Sequence, residues 1–528
     1  MKRTISPLGL LLTSISAVVG SGWLFSTYYT ARLSGPASLL AWIIGGVFII
    51  IVALVFSEIC AMIPVSGSSV RIPQYTHGSV VSFLFAWMIW LSYLALMSTE
   101  TQAVIQYASF YFPTLTGEAG KLTGYGYLAA AAIMLLVSTI NVYSIRWLIR
   151  FNSFLTYIKI IIPIIIIAVI FYLYLEPSKV FHPAHSNFMP LGFHGVFGAL
   201  SMGGILFAFN GFKQAAEMAG EAEKPHISVP FALIGSIIFC MVFYLLLQLA
   251  FNSTILPSNI IHGWENLTLS NDSSPFAAIL EQSNLTSLLP VLYIGAIIAP
   301  FAAGLMYCSS AGRSLFGMSK NGYLPKFIQK LSPQGNPTYA IWMNFLYGMC
   351  LFAPLPGWDK MMSFLTSLLA ITYAVGPICL LTLRYQLPKQ KRPLKLPFGA
   401  LWSMIALYIC TLLAYFTGWD ILSKMSIAVG LGFAVLLIQH FLTKKSKRTK
   451  LNWREAVWLW PYLIGLTIIS KIGNYGNGLD IFFSTTDYIL IAVLCVFCMF
   501  LAVKLRLPSE ITQGYIDKLH LDKEDHIA

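Results

Sequence analysis

Three ionisable side chains fall well inside long apolar stretches of this sequence: Glu100, Lys159 and Lys213. A charge taken out of water costs on the order of several kcal/mol unless it is paired or hydrated, so each is a candidate for binding or proton movement. Each could also be half of a structural ion pair, or a lysine reaching for a polar boundary. Lys159 stands among apolar residues between Tyr157 and Pro163. Burial disfavours the charged form of an ammonium, which lets such a lysine gain and lose a proton. A second chemistry lies in the backbone. Ala17-Val18-Val19-Gly20-Ser21-Gly22-Trp23 and Phe207-Ala208-Phe209-Asn210-Gly211-Phe212-Lys213 each set glycine beside a polar residue in mid-stretch. Glycine there often marks only a packing contact between helices.

The elements that must hold these residues are set by composition. Hydrophobic residues make up 57% of the 528, charged residues 10%, and the mean hydropathy is +0.74. A soluble chain carries about 25% charged residues. Runs such as Trp42–Phe56 and Ile160–Tyr174 therefore belong in lipid, where about 20 apolar residues cross as a helix. The expected fold class is an all-α polytopic membrane protein. Apolar windows mark about 14 spans, near 7–31, 38–62, 80–110, 125–143, 151–175, 193–213, 229–252, 286–312, 338–355, 361–383, 401–418, 425–443, 456–471 and 486–505.

The net charge of +13 could suit nucleic acid, but in such a chain excess Lys and Arg mark cytoplasmic loops. With the N-terminus inside, 25 of the 33 Lys and Arg fall in inside segments, Lys2, Arg3, Arg71, Arg146, Arg150 and Lys224 among them. The outside segments hold Arg32, Lys121, Lys179, Lys360, Lys424 and Lys471. Both termini are thus expected in the cytoplasm, with no nucleic-acid partner. Asn252, Asn266, Asn271 and Asn284 head Asn-x-Ser/Thr triplets in the long outside loop, a pattern common by chance in polar loops. The eight cysteines match no metal spacing and read as packing residues, so neither metal nor cofactor is expected. The first stretch shows no small-residue cleavage site and reads as a retained helix.

Within this arrangement the first and sixth spans are read as interrupted. One runs outward and the other inward, which is what an inverted repeat of five helices predicts. Unwound backbone survives at that depth only beside a cavity, and Ser21 and Asn210 supply polar partners there. The outer half of the first span would present N–H groups and a positive dipole end, suited to a carboxylate. The half-helices that stop at the breaks would present free carbonyls, suited to an ammonium. Together these ends read as a receptor for an α-amino acid, whatever its side chain.

At these residues the sequence resembles the amino acid–polyamine–organocation superfamily of permeases. Gly20-Ser21-Gly22-Trp23 with Gly35-Pro36 is similar to that family's opening motif, and Gly211-Phe212 through Gly220-Glu221 to Lys224-Pro225 to its sixth span and following loop. The most specific stretch is Ser309 to Pro325, similar to the cytoplasmic end of the family's eighth span; Asn336-Pro337 and Arg392-Pro393 add to it. Within the superfamily the chain most resembles bacterial aspartate–proton symporters. The resemblance implies a ten-helix transporter core over 1–400, four further helices over 401–505 and a cytoplasmic tail over 506–528, in a bacterial inner membrane. It places carboxylate contacts on the backbone of Ser21 and Gly22, and ammonium contacts on carbonyls near Val18, Phe207 and Asn210. Phe207 would close over the substrate. Proton-coupled relatives carry a lysine in the fifth span, a position Lys159 matches, with Glu100 next in line for coupling. Many relatives have glutamate where Lys213 stands; a cation there favours aspartate or glutamate over basic solutes.

The implied activity is secondary transport of an amino acid, with protons as the coupling partner and lipid as the surroundings. An exchanger of the same superfamily is the alternative. A membrane enzyme built on Glu100, His77 and the lysines is weighed against by the lack of a paired His/Asp constellation, with His77 placed in a loop beside Arg71. A receptor on a transporter fold would be expected to carry long soluble tails.

Overall fold

The computed structural model describes residues 5–65, 67–143, 145–174, 187–333, 335–444, 446, 448–481 and 485–524. Lys2, Arg3, Lys179, Lys445 and Lys447, counted above in the charge bias, lie outside the described residues, as do the side chains of Arg146, Arg150 and Lys523.

The described chain is helical, with three isolated bridges and no strand. In order the helices are α1 (Pro7–Val18), α2 (Gly22–Ser34), α3 (Ser38–Met62), α4 (Ser68–His77), α5 (Ser79–Ala108), α6 (Gly124–Tyr143) and α7 (Ile145–Tyr174). Next come α8 (Gly192–Ser201), α9 (Ile205–Ala208), α10 (Lys213–Glu217), α11 (Pro225–Thr254), α12 (Pro275–Gln282), α13 (Leu289–Lys320) and α14 (Thr338–Leu351). The last are α15 (Gly357–Gln386), α16 (Gly399–Tyr415), α17 (Trp419–Leu442), α18 (Leu459–Ile472), α19 (Thr486–Lys504) and α20 (Ser509–Glu524).

All fourteen apolar windows fall on helices. Nine helical runs among the described residues are long and apolar enough to cross a bilayer, ten if the bent sixth window counts as one span. One of those runs is α2 with α3, continuous through the 3₁₀ turn Gly35–Ala37. Helices α14 and α18 have 14 residues each, about 21 Å at 1.5 Å per residue, and are shorter than their windows. Exposed apolar side chains such as Ile161, Ile164 and Ile165 on α7 and Ile489, Val493 and Phe500 on α19 give the outer surface its lipid-facing character. Helices α5 and α15 are almost wholly enclosed and form the axis of the bundle. The protein is an integral, multi-pass membrane protein.

The two broken spans lie side by side and antiparallel. Thr30 Oγ1 donates to Gly203 O at 3.1 Å and Ser26 Oγ to Gly204 O at 3.4 Å, while Gly211 lies against Val18. Rising numbers on one span thus meet falling numbers on the other. The first span unwinds over Val19–Ser21, where Val18 O accepts from Gly20 N–H at 3.0 Å. The sixth bends by 42° at Phe209 and is broken a second time between Ser201 and Ile205, where Gly204 has φ +89°. Only a glycine adopts that conformation readily.

Two expectations need correction, and the tail expected after residue 506 is helical. His77 is not in a loop: it ends α4, wholly buried, with its ring against Trp458 at 5.5 Å. Asn252 is not an exposed sequon, because it lies within α11, buried, and donates from Nδ2 to Ser38 Oγ at 3.0 Å. The segment after Arg506 is a helix packed on α4, with Tyr515 stacked on Tyr75 at 5.2 Å and Thr512 Oγ1 donating to Tyr75 O at 2.9 Å.

Candidate functional site

Sequence expectation and structure meet at the break between α1 and α2. A helix that restarts at Gly22 leaves N–H groups without intrahelical partners, and in lipid these must be satisfied nearby. The Ser21 N–H donates to Glu100 Oε2 at 2.9 Å, from the middle of α5. Gly20 has no room for a side chain, since a Cβ there would lie 3.1 Å from Glu100 Cδ. The place expected to receive a ligand's carboxylate therefore holds the chain's own carboxylate.

The carbonyl end of the break is occupied in the same way. Lys159 Nζ, on α7, donates to Ser16 O at 3.5 Å. Tyr307 OH, on α13, donates to Ala17 O at 3.0 Å, and Val18 O is taken by Gly20. The carbonyls of Ser16, Ala17 and Val18 thus all meet a donor here, as orphan groups at that depth are too costly to leave unpaired. Ser16 Oγ and Thr156 Oγ1 lie 2.7 Å apart and tie α1 to α7. Glu100 and Lys159, 59 residues apart, are thereby brought to opposite ends of one break.

Above the break sits an aromatic cap. Phe207, on α9, is buried, and its Cε1 would be 3.2 Å from a Cβ on Gly22. Trp358, near the start of α15, meets Phe207 edge to face at 5.3 Å and donates from Nε1 to Ser21 Oγ at 2.9 Å. Phe25 and Tyr29 stack on the same indole at 4.9 and 5.7 Å. Below the break, Ala17, Tyr93, Asn210, Lys213, Gln214 and Tyr307 help line a cavity of about 20 Å³. That volume suits about one water molecule and no amino acid.

Lys213 opens α10 and is buried. Its ammonium lies 5.3 Å from the centre of the Tyr373 ring, and among the described residues it forms no ion pair with Glu217. Tyr373 OH donates to Asn210 Oδ1 at 3.0 Å. Asn210 and Lys213 thus border the cavity below the break, while Ser21, Gly22 and Phe207 lie under the aromatic cap above it.

Sequence reasoning missed Trp358, whose indole looks like packing in an apolar span. It also passed over Glu58, which the rule that flagged Glu100 applies to equally. Glu58, on α3, accepts from Arg384 Nε at 3.0 Å and NH2 at 2.6 Å and from Leu396 N at 2.9 Å, with Arg392 Nε at 3.5 Å. Among the described residues no group of His, Cys, Asp or Glu could hold a metal ion.

A sequence profile described as "Amino acid permease" matches residues 5–438. The chain is 31% identical over 503 residues to the "Glutamate/serine transporter AimA" of Bacillus subtilis (strain 168), covering 93% of this chain and 92% of that protein. It is 29% identical over 495 residues to the "Aspartate-proton symporter" of the same organism, covering 93% and 94%. The "Methylthioribose transporter" of that organism is 27% identical over 428 residues, covering 79% and 88%. The relatives are transporters rather than enzymes, and the chain belongs to the amino acid permease family.

Proposed function

We propose that this protein carries out proton-coupled uptake of an acidic amino acid, with both termini in the cytoplasm of a bacterial cell. The ten-span core expected within 1–400 would carry out transport and the helices of 401–505 would form a brace, with 506–528 as a cytoplasmic tail. The observation that carries the reading is the Ser21–Glu100 hydrogen bond with Lys159 at the other end of the same break.

A backbone N–H that holds Glu100 can hold a substrate carboxylate, but not both at once. Protonating Glu100 weakens it as an acceptor and frees the Ser21 N–H for the substrate. Proton and substrate then enter together, one helping the other, which is symport. Lys159 would hold the carbonyl end and answer the change of charge on Glu100. The substrate ammonium would displace it from carbonyls near Val18, or use those of Phe207 and Asn210. Phe207 would cover the bound molecule. An acidic side chain is favoured by Lys213, which lines the lower cavity beside Asn210 and, among the described residues, forms no salt bridge.

The test is uptake into proteoliposomes of L-aspartate, L-glutamate, L-serine and L-arginine with an imposed pH gradient, acid outside. Accumulation of the acidic pair above the internal level, abolished by a protonophore, is the expected result. Equal counterflow with no gradient and no accumulation with one would assign an exchanger instead.

A further inference from the structure

Tyr244, on α11, has a role in neither end of the break described above. Its side chain is wholly buried, and among the described residues its hydroxyl has no hydrogen-bond partner. Buried hydroxyls left unpaired are costly and few. The ring is also held firmly. It stacks on Trp42 at 4.6 Å with planes 5° apart. Trp42 Nε1 donates to Gln248 Oε1 at 2.9 Å, and Gln248 Nε2 donates to Thr27 O at 3.1 Å and Asn252 Oδ1 at 2.9 Å. This phenol is fixed by α2, α3 and α11 together and cannot swing to another partner without breaking that chain.

Its oxygen is aimed at the break. A Cβ on Gly22 would lie 3.0 Å from Tyr244 Oη, beside the Phe207 ring. Tyr244 Oη and the Phe207 ring therefore close on the Gly22 backbone, one residue from the Ser21 N–H, so tightly that even a Cβ would be crowded. Glu100 takes the N–H but makes no hydrogen bond with the phenol.

We propose that Tyr244 is a substrate-binding residue whose phenolic O–H donates to a carboxylate oxygen of an amino acid seated at Ser21 and Gly22. The proposal rests on the reading that this break receives the substrate carboxylate, and it adds a donor that Glu100 leaves unused. The substrate gains from two donors where Glu100 gains from one, which favours the exchange of one carboxylate for the other. Because the carboxylate is common to all amino acids, Tyr244 acts on affinity and not on choice of side chain.

The experiment compares wild type, Tyr244→Phe and Gly22→Val as purified full-length protein. Binding of L-glutamate, L-aspartate and L-serine is titrated, and thermal melting of the ligand-free protein is recorded alongside. Tyr244→Phe removes only the oxygen. Affinity for all three should fall roughly tenfold and by similar factors, while the melting temperature holds or rises because an unpaired buried hydroxyl is gone. Unchanged affinities in Tyr244→Phe, or a loss of affinity matched by a loss of melting temperature, overturn the proposal. Gly22→Val separates the two readings. If it binds normally, the break is not the carboxylate site at all; if it fails to bind while Tyr244→Phe is unaffected, only the tyrosine's role is lost.

Discussion

Ser21 and Glu100, 79 residues apart in the chain, are joined by a 2.9 Å hydrogen bond from backbone N–H to carboxylate. The donor exists because α1 stops at Val18 and α2 restarts at Gly22. The acceptor lies on α5, one of the two most enclosed helices. A carboxylate at that depth is tolerable only with such a partner. Whatever displaces Glu100 from Ser21 must therefore offer the N–H an equal acceptor and leave Glu100 neutral or newly paired.

Glu100→Gln isolates the proton from the hydrogen bond. The amide oxygen still accepts from Ser21, but the side chain no longer titrates. Accumulation driven by a pH gradient is expected to fall at least about tenfold, while exchange of labelled for unlabelled solute survives. Proteoliposomes assayed with and without the gradient give both numbers. A variant that still concentrates solute along the gradient would remove Glu100 from the coupling step.

Lys159→Ala acts at the opposite end of the break. Loss of the ammonium leaves Ser16 O without that partner and removes a positive charge from the end of the break opposite Glu100. Uncoupling is again expected, with a difference that can be read. Here the affinity for substrate should also change, because Glu100 no longer has a cation to move towards. Uptake kinetics at two external pH values report it, and retention of a normal pH dependence would place coupling elsewhere.

Much of this was legible in the sequence, for physical reasons. A bilayer demands length and hydrophobicity together, so every apolar window fell on a helix. Gly20-Ser21-Gly22 announced the first break because glycine and serine there have little else to do. The pair Gly203-Gly204 carried the same signal for the second interruption of the sixth span and was passed over. Glu100 and Lys159 were marked by their charge, but their meeting at one break depends on how α1, α5 and α7 pack. Tyr244 and Trp358 carried no mark at all, because an aromatic residue in an apolar helix reads as core until its polar atom is placed. Ser68–His77 is short, polar on average and contains Pro73, so no apolar run marks it as a helix.

Glu58 binds the segment after α15 to α3. Both its oxygens are engaged, with Arg384 in a two-point contact and Arg392 close by. Glu58→Gln leaves two guanidinium groups facing a neutral amide in a largely enclosed site. Breaking a buried pair from one side costs about 3–5 kcal/mol, and Arg384's partial exposure puts this case at the lower end. The melting temperature of the solubilised protein should drop by several degrees. The double variant Glu58→Gln with Arg384→Gln should recover part of that loss.

His77 gives stability a pH dependence. It lies outside the membrane-spanning helices, and burial pushes its imidazole down to about 4. The ordinary value is 6.5, so between pH 6.5 and 4 an unfolded chain takes up a proton that the folded one refuses. Stability from this group is thus whole above pH 6.5 and is lost as the pH falls towards 4. Melting curves of wild type should shift downward across that window, and those of His77→Gln should shift less. An equal slope in the two proteins would show that His77 does not set it.

Lys213 tests the choice of substrate. Lys213 helps line the cavity below the break, its ammonium lies over the Tyr373 ring, and among the described residues it forms no salt bridge with Glu217 one turn along α10. A side-chain carboxylate reaching that cavity would meet a cation shielded from water, an interaction of roughly 1–3 kcal/mol, or about five- to hundredfold in affinity. Lys213→Glu should therefore weaken aspartate and glutamate by that factor, change serine much less, and admit basic amino acids better than before. Competition against a labelled substrate that both proteins bind measures the ranking directly. Lys213→Glu sets a second carboxylate one turn from Glu217, so melting curves of the variant are recorded beside the competition assay. If acidic, neutral and basic amino acids keep their order in a variant that still binds, the lysine does not read the side chain, and the preference for acidic substrates would have to come from another group.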